Sequence, residues 1–225
     1  MEATTDLVQY LSGFVTGERL SRFDEVLSRR TRYITVVLED IYQQHNASAV
    51  LRTCDCFGIQ DVHVVEQRNV FNVNDEIALG ASKWLNLHVY GKAEGQTHGA
   101  IALLKKQGYR VVATVPDKDA VPLEAFDLKK GKIALLFGTE LTGLSSDAIE
   151  QADEYMVIPM AGFTESFNIS VSAGIILHHL GHALSQSDLP WQLNSKEKNE
   201  LKLAWLRNTI RNPEQIESHF LAGKK

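Results

Sequence analysis

The segment from Ile158 to Gly174 constrains the fold of this chain more than any other. It begins as a short apolar run, turns through Gly162, and leads into a second apolar run from Ile169 to Leu180. Asn and Ser side chains commonly bond the free N–H groups at a helix start, so Ser166 and Asn168 predict a helix that begins near Asn168. A helix that is apolar on most sides is buried in a core or against a second subunit. The loop before it would be held between two rigid elements, which suits gripping a small ligand through the main chain.

Length and composition narrow the class of protein. A chain of 225 residues can hold one domain with extensions, and a formal net charge of −5 does not recruit nucleic acid by bulk charge. Cys54 and Cys56 lie too close in sequence for an easy structural disulfide and are typical of reduced thiols. With no Cys/His cluster beside them, we expect no metal. The absence of a basic secretory start and of an apolar run of membrane length predicts a cytoplasmic protein.

Strand-like and helix-like segments alternate along the middle of the chain, which predicts an α/β fold with a parallel sheet, flanking helices and helical extensions at both termini. The strands are expected at Tyr33–Leu38, Val62–Glu66, Leu85–Tyr90, Tyr109–Thr114, Ile133–Phe137 and Tyr155–Ile158. The helix between the first two strands is expected to span Asn46 to Phe57, with Asn46 as its N-cap. A later helix is expected to begin at a Ser145 cap.

The chain divides into an extension at 1–32, a domain at 33–184 and an extension at 185–225. The first extension carries the one basic cluster, which consists of Arg19, Arg22, Arg29, Arg30 and Arg32. Two interpretations stay open: a solvated helix face, or an arm that contacts RNA phosphates. Two interpretations also stay open for Lys83 beside Trp84: an RNA contact through charge and stacking, or a helix end next to a core Trp.

Three polar stretches follow or leave strands, where open α/β sheets bind ligands. They are His45–Arg52, Leu136–Gly143 and the segment from Ile158. Each residue alone has a plain structural explanation, since Asn46 could be a cap, Gly138 a turn glycine and Glu140 a solvated loop acid. Neither GxGxxG nor GxxxxGK[ST] occurs between a strand and a helix, so the phosphate-binding loops known from those motifs are absent.

Taken together and in order, the patterns N-x-x-x-x-x-R, F-G-x-E-x-x-G and I-P-M-x-G-x-x-x-S-x-N-x-S-V-S resemble the three motifs of the SPOUT-class RNA 2′-O-ribose methyltransferases, and most of all the TrmH-type tRNA enzymes. The resemblance covers about residues 33 to 184. It implies a C-terminal trefoil knot, bound S-adenosylmethionine, a homodimer, and transfer of a methyl group to a tRNA ribose, in a D-loop guanosine. A ribosomal RNA target and a non-catalytic RNA-binding or assembly factor are the alternatives.

The resemblance also implies roles for single residues. Arg52 corresponds to the catalytic arginine, and the other catalytic positions are Asn46, Glu140, Ser166 and Asn168. The cofactor-binding positions are Gly138, Thr139, Ile158, Met160, Gly162, Ser166 and Phe167, and a side chain at Gly162 is expected to crowd the loop. The group that accepts the hydroxyl proton stays open between Arg52, a substrate phosphate and water, since arginine is a poor base at its normal pKa. We interpret His178, His179 and His182 as interface or surface residues and not as metal ligands.

Overall fold

The computed structural model describes residues 2–91, 95–117 and 119–222. The chain forms two compact units, one of residues 31–191 and one of residues 1–30 together with 192–225. No helix in the described part of the chain is long and apolar enough to cross a membrane.

A parallel sheet forms the larger unit and confirms the predicted α/β fold. Its seven described strands are β1 (Ile34–Glu39), β2 (Asp61–Val65), β3 (Asn86–Tyr90), β4 (Arg110–Thr114), β5 (Val121–Pro122), β6 (Ile133–Phe137) and β7 (Glu154–Val157). They lie in the order β3-β2-β1-β6-β4-β7-β5, and every pair is parallel. Every residue of β1, β2 and β6 is buried, which explains the nearly continuous apolar runs in these central strands.

Helices cover both faces of the sheet. On one face, α3 (Gln44–Cys56) and α7 (Ile169–Ser185) share a core with Ile34, Val36 and Leu38 of β1. On the other, α5 (Gln96–Lys106) and α6 (Ser146–Glu150) pack against Val37 and its neighbours. Because successive side chains of a strand point to opposite faces, one apolar strand supplies both cores. A short helix, α4 (Asp75–Ala78), lies in the connection between β2 and β3.

Local capping follows the sequence in two places and departs from it in a third. Asn168 caps α7 by accepting from the Ser170 N–H at 2.9 Å, and Ser145 caps α6 by accepting from the Ala148 N–H at 3.1 Å, as predicted. The prediction that Asn46 caps α3 is wrong. The helix begins two residues earlier, at Gln44, and Asn46 lies within its first turn. The strand β5 was not predicted, because its two residues lie in a stretch that reads as a loop.

The smaller unit contains the helices of both termini: α1 (Glu2–Ser12), α2 (Gly17–Ser28), α8 (Ser195–Thr209) and α9 (Pro213–Ala222). Aromatic contacts join them. Phe23 of α2 meets Trp205 of α8 edge-on at 5.5 Å between ring centroids, and Tyr10 of α1 lies 4.7 Å from Phe220 of α9. The N-terminal and C-terminal helices therefore stabilise one another.

On the larger unit, His63 of β2 stacks on His88 of the edge strand β3, with ring centroids 4.6 Å apart. The pKa of His63 is lowered to about 4, mainly by burial and also by the neighbouring His88, while Asp61 opposes both effects. His63 is therefore neutral in the folded protein at neutral pH.

Candidate active site

Asn46, Glu140 and Asn168 come together at the carboxyl edge of the sheet and form what we call the polar triangle. Asn46 and Asn168 both donate from Nδ2 to Oε1 of Glu140, and the Asn168 bond measures 2.8 Å. Asn168 Nδ2 also donates to Asn46 Oδ1 at 3.1 Å. The three side chains come from three separate segments, α3, the loop after β6 and the start of α7, so the three sequence motifs meet at one point.

Each member of the triangle is held by its own element. Asn46 is 3% exposed and also donates to Gln43 Oε1 at 2.8 Å. Asn168 combines two tasks, because its Oδ1 caps α7 while its amide nitrogen faces the triangle. Both bonds to Glu140 reach the same oxygen, and Oε2 has no hydrogen-bond partner among the described residues. That second oxygen can accept a hydrogen bond from a ligand hydroxyl or ammonium group.

A cleft of about 1120 Å³ opens beside the triangle, and Glu140 is part of its wall. The loop from Gly138 to Leu144 contributes every one of its residues to the lining. Of the other predicted cofactor positions, the lining includes Thr139, Ile158, Met160, Ser166 and Phe167. The remaining walls come from the end of β4, from β7 and from α7. The cleft therefore has the size of a small-molecule site and lies where parallel sheets bind ligands.

The charges described along the cleft have one sign. Asp117, Asp119, Glu140 and Glu165 line it, and no Lys or Arg does among the residues that the structure describes. A wall of this kind favours a ligand with net positive charge and disfavours an anionic one.

Gly138 is required by close packing. A methyl group on its Cα would overlap the backbone carbonyl of Gly143 and the nitrogen of Leu144. Those atoms belong to a tight turn closed by two hydrogen bonds of 3.0 Å between Thr139 and Gly143. Gly138 therefore lets two backbone segments of the cleft wall touch.

The surroundings of Gly162 differ from those that the sequence predicts. It lies on the exposed loop before α7, outside the cleft lining, and a Cβ there would meet nothing closer than the Thr164 nitrogen at 3.9 Å. The expectation that a side chain at Gly162 would crowd the loop is therefore wrong. The crowding expected there applies to Gly138.

Arg52 is exposed on α3 and is not among the residues that line the cleft. It follows Asn46 by six residues, which places it about 120° away around the helix axis. Its side chain forms no hydrogen bond or ion pair with the residues described. Among the predicted catalytic residues in the described part of the chain, Arg52 is the one that neither lines the cleft nor bonds the polar triangle.

The predicted RNA-binding arginines differ widely in environment. Arg30 is only 1% exposed and its guanidinium lies 5.5 Å from the Trp205 ring, so the prediction that it contacts RNA is wrong. Arg22 and Arg29 are exposed and share Glu25, at 2.7 and 3.2 Å.

Arg19 and Arg32 complete that set. The Arg19 side chain is exposed and has no partner within the described residues. Arg32 lies on the larger unit and bonds Asp61 at 2.8 Å. Lys83 is exposed at the end of a 3₁₀ turn of residues 81–83. The basic cluster is thus a set of separate surface and interior positions.

The histidines and the end of β4 complete the description of the site. In the described residues, no group of three or more His, Cys, Asp or Glu side chains could hold a metal, and His178 instead meets the Phe57 ring at 5.9 Å. Sequence reasoning missed the part of the wall formed by Thr114 to Asp117. The position of these residues directly after β4 could have indicated it, because neighbouring parallel strands end at the same edge.

Comparison with known proteins agrees with this geometry. Residues 33–178 match the model of the SpoU rRNA Methylase family. A tRNA (guanosine(18)-2′-O)-methyltransferase of Borreliella burgdorferi is 43% identical over 208 residues, which span 92% of this chain and 93% of the relative. The enzyme of the same description from Thermus thermophilus is 39% identical over 162 residues, 72% of this chain and 81% of the relative. The crystal structure of the A. aeolicus TrmH/SpoU tRNA modifying enzyme superposes with a TM-score of 0.76 at 28% identity, over 86% of this chain and 98% of that one. The chain belongs to the SpoU methylase family.

Proposed function

We propose that this protein transfers a methyl group from S-adenosylmethionine to the ribose 2′-hydroxyl of guanosine 18 in the D-loop of tRNA. The observation that carries the proposal is the polar triangle beside the cleft, built from the three motif segments of a chain that is 43% identical to a tRNA (guanosine(18)-2′-O)-methyltransferase along nearly its whole length. A tRNA substrate and two free cysteines suit a cytoplasmic protein.

The cleft fits the methyl donor in size and charge. Apolar walls and the backbone of the Gly138–Leu144 loop suit an adenosine, and the acidic lining suits a molecule that carries both a sulfonium and an ammonium group. We expect binding of S-adenosylmethionine to weaken with added salt more than binding of the uncharged-sulfur product, S-adenosylhomocysteine. Titration calorimetry of both ligands at low and high salt tests this, and equal salt dependence would contradict the charge argument.

The reaction mainly requires the protein to align the methyl donor with the ribose O2′. The donor supplies a methyl group on a positively charged sulfur; the ribose O2′ bonds that carbon as the carbon–sulfur bond breaks, and the hydroxyl proton leaves to an acceptor. The triangle would fix Glu140 so that its Oε2 orients a bound polar group. Arg52 would hold the flanking phosphate and stabilise the emerging alkoxide, since its guanidinium is always charged.

A homodimer would explain how Arg52 reaches a cleft. Helix α7 exposes Val171, and Phe167 and Phe163 precede it on the surface, which is typical of an interface with a second copy. Because Arg52 lies on the neighbouring helix α3 and outside its own chain's cleft, we propose that each cleft uses the arginine of the other copy.

Complementation tests this arrangement. Arg52→Ala and Glu140→Gln are each expected to be inactive. If the arginine acts across the interface, mixed dimers hold one complete site, and a refolded equal mixture recovers about a quarter of wild-type activity by random pairing. If it acts within its own chain, the mixture stays inactive. A monomer in sedimentation at micromolar concentration would contradict the dimer itself.

The C-terminal trefoil knot is the part of the fold that we propose from the resemblance. The connection from β7 to α7 supports it, because β7 lies near one edge of the sheet while α7 packs against β1 and α3. This connection therefore passes the ends of β4 and β6, where the Gly138–Leu144 loop also lies.

The substrate is tested by incubating the protein with labelled methyl donor and three RNAs: unmodified tRNA, the same tRNA with guanosine 18 replaced, and ribosomal RNA. We expect a ribose methyl on guanosine 18 of the first RNA only. Methylation of ribosomal RNA alone would support the rRNA alternative. Donor binding without transfer to any RNA would support a non-catalytic role.

A further inference from the structure

Glu39 is a buried carboxylate that the chemistry above does not use. It is the last residue of β1 and is only 3% exposed. Four donors surround it: the Ser145 N–H at 2.9 Å, the Ser145 hydroxyl at 2.7 Å, the Thr97 hydroxyl at 2.7 Å and the Gln67 side-chain amide at 3.0 Å. Both carboxyl oxygens of Glu39 therefore have hydrogen-bond partners, Oε1 three and Oε2 one.

Two of these four bonds go to Ser145, and this residue ends the loop that lines the cleft. The loop leaves the sheet at Gly138, and its seven residues up to Leu144 all contribute to the wall. The loop begins where β6 ends. At the other end of the loop, the backbone N–H and the side-chain hydroxyl of Ser145 both bond Glu39. Ser145 also caps α6, so the same bonds fix the helix that follows.

A carboxylate suits this arrangement because both of its oxygens accept hydrogen bonds. A glutamine at position 39 would present an NH₂ group to at least one of the four donors, which leaves a buried donor without an acceptor. The two bonds to Thr97 and Gln67 steady the carboxylate but do not touch the loop. Loop anchoring therefore depends on the Ser145 bonds, whereas general stability depends on all four.

We propose that Glu39 is a positioning residue for the methyl donor: through Ser145 it holds the Gly138–Leu144 loop in the shape that binds the donor. The inference rests on the proposed function, which makes this cleft the donor site. It assigns Glu39 no contact with the donor or the RNA.

The test compares variants that break different bonds of the same carboxylate. Glu39→Gln and Ser145→Ala weaken the loop anchor, Ser145→Thr keeps the hydroxyl, and Thr97→Val removes a bond to Glu39 that does not involve the loop. For each, the melting temperature, the Kd for S-adenosylhomocysteine, the KM and kcat for S-adenosylmethionine at saturating tRNA, and the hydrogen exchange of the loop amides are measured.

We expect Glu39→Gln and Ser145→Ala to raise Kd and KM by about tenfold, the effect of losing one hydrogen bond to a charged group, while kcat at saturating donor stays within about twofold. Their loop amides should exchange faster without any ligand. Ser145→Thr should restore Kd. Thr97→Val should lower the melting temperature and leave Kd within about twofold of wild type.

The outcomes separate this inference from the function beneath it. If the wild-type protein binds no donor, the proposed function fails and this assignment fails with it. If wild type binds but Glu39→Gln and Ser145→Ala bind equally well, Glu39 is a stability residue only. If Thr97→Val raises Kd as much as they do, the effect is a general loosening and the assignment is wrong. Should Glu39→Gln not fold, the pair Ser145→Ala and Ser145→Thr decides alone.

Discussion

Replacing Gly138 by alanine tests the close contact that shapes the cleft. The added methyl group would overlap the backbone of Gly143 and Leu144, and ordinary van der Waals separation requires the two segments to part by about 1.5 Å. A movement of that size breaks both 3.0 Å bonds between Thr139 and Gly143. Gly138 does not have a positive φ, so alanine suits its backbone angles and the effect is purely steric.

The size of the effect follows from the bonds lost. Two neutral backbone hydrogen bonds contribute about 2 kcal/mol together, which corresponds to roughly a 30-fold rise in the Kd for S-adenosylhomocysteine if the bound loop must restore them. Titration calorimetry measures this, with the melting temperature as the check on folding.

Gly162→Ala is the matched control, because the nearest atom to its new methyl group is 3.9 Å away. We expect this variant to bind within about twofold of wild type. A folded Gly138→Ala protein with wild-type affinity would show that the turn does not shape the donor site.

Three further predictions concern charged and titratable side chains. Arg52→Ala should leave folding and donor affinity nearly intact and remove most single-turnover methylation at saturating tRNA; near-normal turnover would contradict its catalytic role. Arg19→Ala should flatten the salt dependence of tRNA binding by about one unit of log K against log salt if it contacts a phosphate, whereas the buried Arg30→Ala should instead lower the free energy of unfolding by about 2 kcal/mol. The unfolded chain binds a proton at His63 below pH 6.5 that the folded chain binds only near pH 4, so stability should fall by up to about 3 kcal/mol as the pH falls through that window. His63→Gln should remove that part of the slope in urea unfolding between pH 4 and 7, and an unchanged slope would mean that the acid sensitivity has another source.

Sequence periodicity was enough to predict the sheet, but it did not predict contacts between side chains that lie far apart in the sequence. The buried strands β1, β2 and β6 are recognisable because burial on both faces demands continuous apolar residues. Asn46 was misassigned because helix capping is judged from neighbours in sequence, whereas its amide bonds Glu140, 94 residues away. The motif resemblance named both residues, and the structure joins them by a hydrogen bond, because a family motif carries tertiary information that local pattern does not.

Glycine and arginine illustrate the same limit. Gly138 and Gly162 look equivalent in sequence, and only the fold reveals that one touches another backbone segment while the other has open space. Arg30 belongs to a charged run and reads as a surface residue. It is nevertheless buried, and its guanidinium lies 5.5 Å from the ring of Trp205, on a helix near the opposite end of the chain.

The polar triangle also fixes the order of folding events during synthesis of the chain. Asn46 and its partner Asn168 are separated by 122 residues, so a ribosome needs roughly 6 to 25 s to pass from one to the other. During that interval the apolar stripe of α3 lacks α7, the helix that shares its core. A nascent chain in this state exposes surface that chaperones bind, and it has no completed donor site. Donor binding should therefore appear at a single late step, when α7 packs, and a fluorescent donor analogue added to a translating extract would report the moment at which the chain finishes folding.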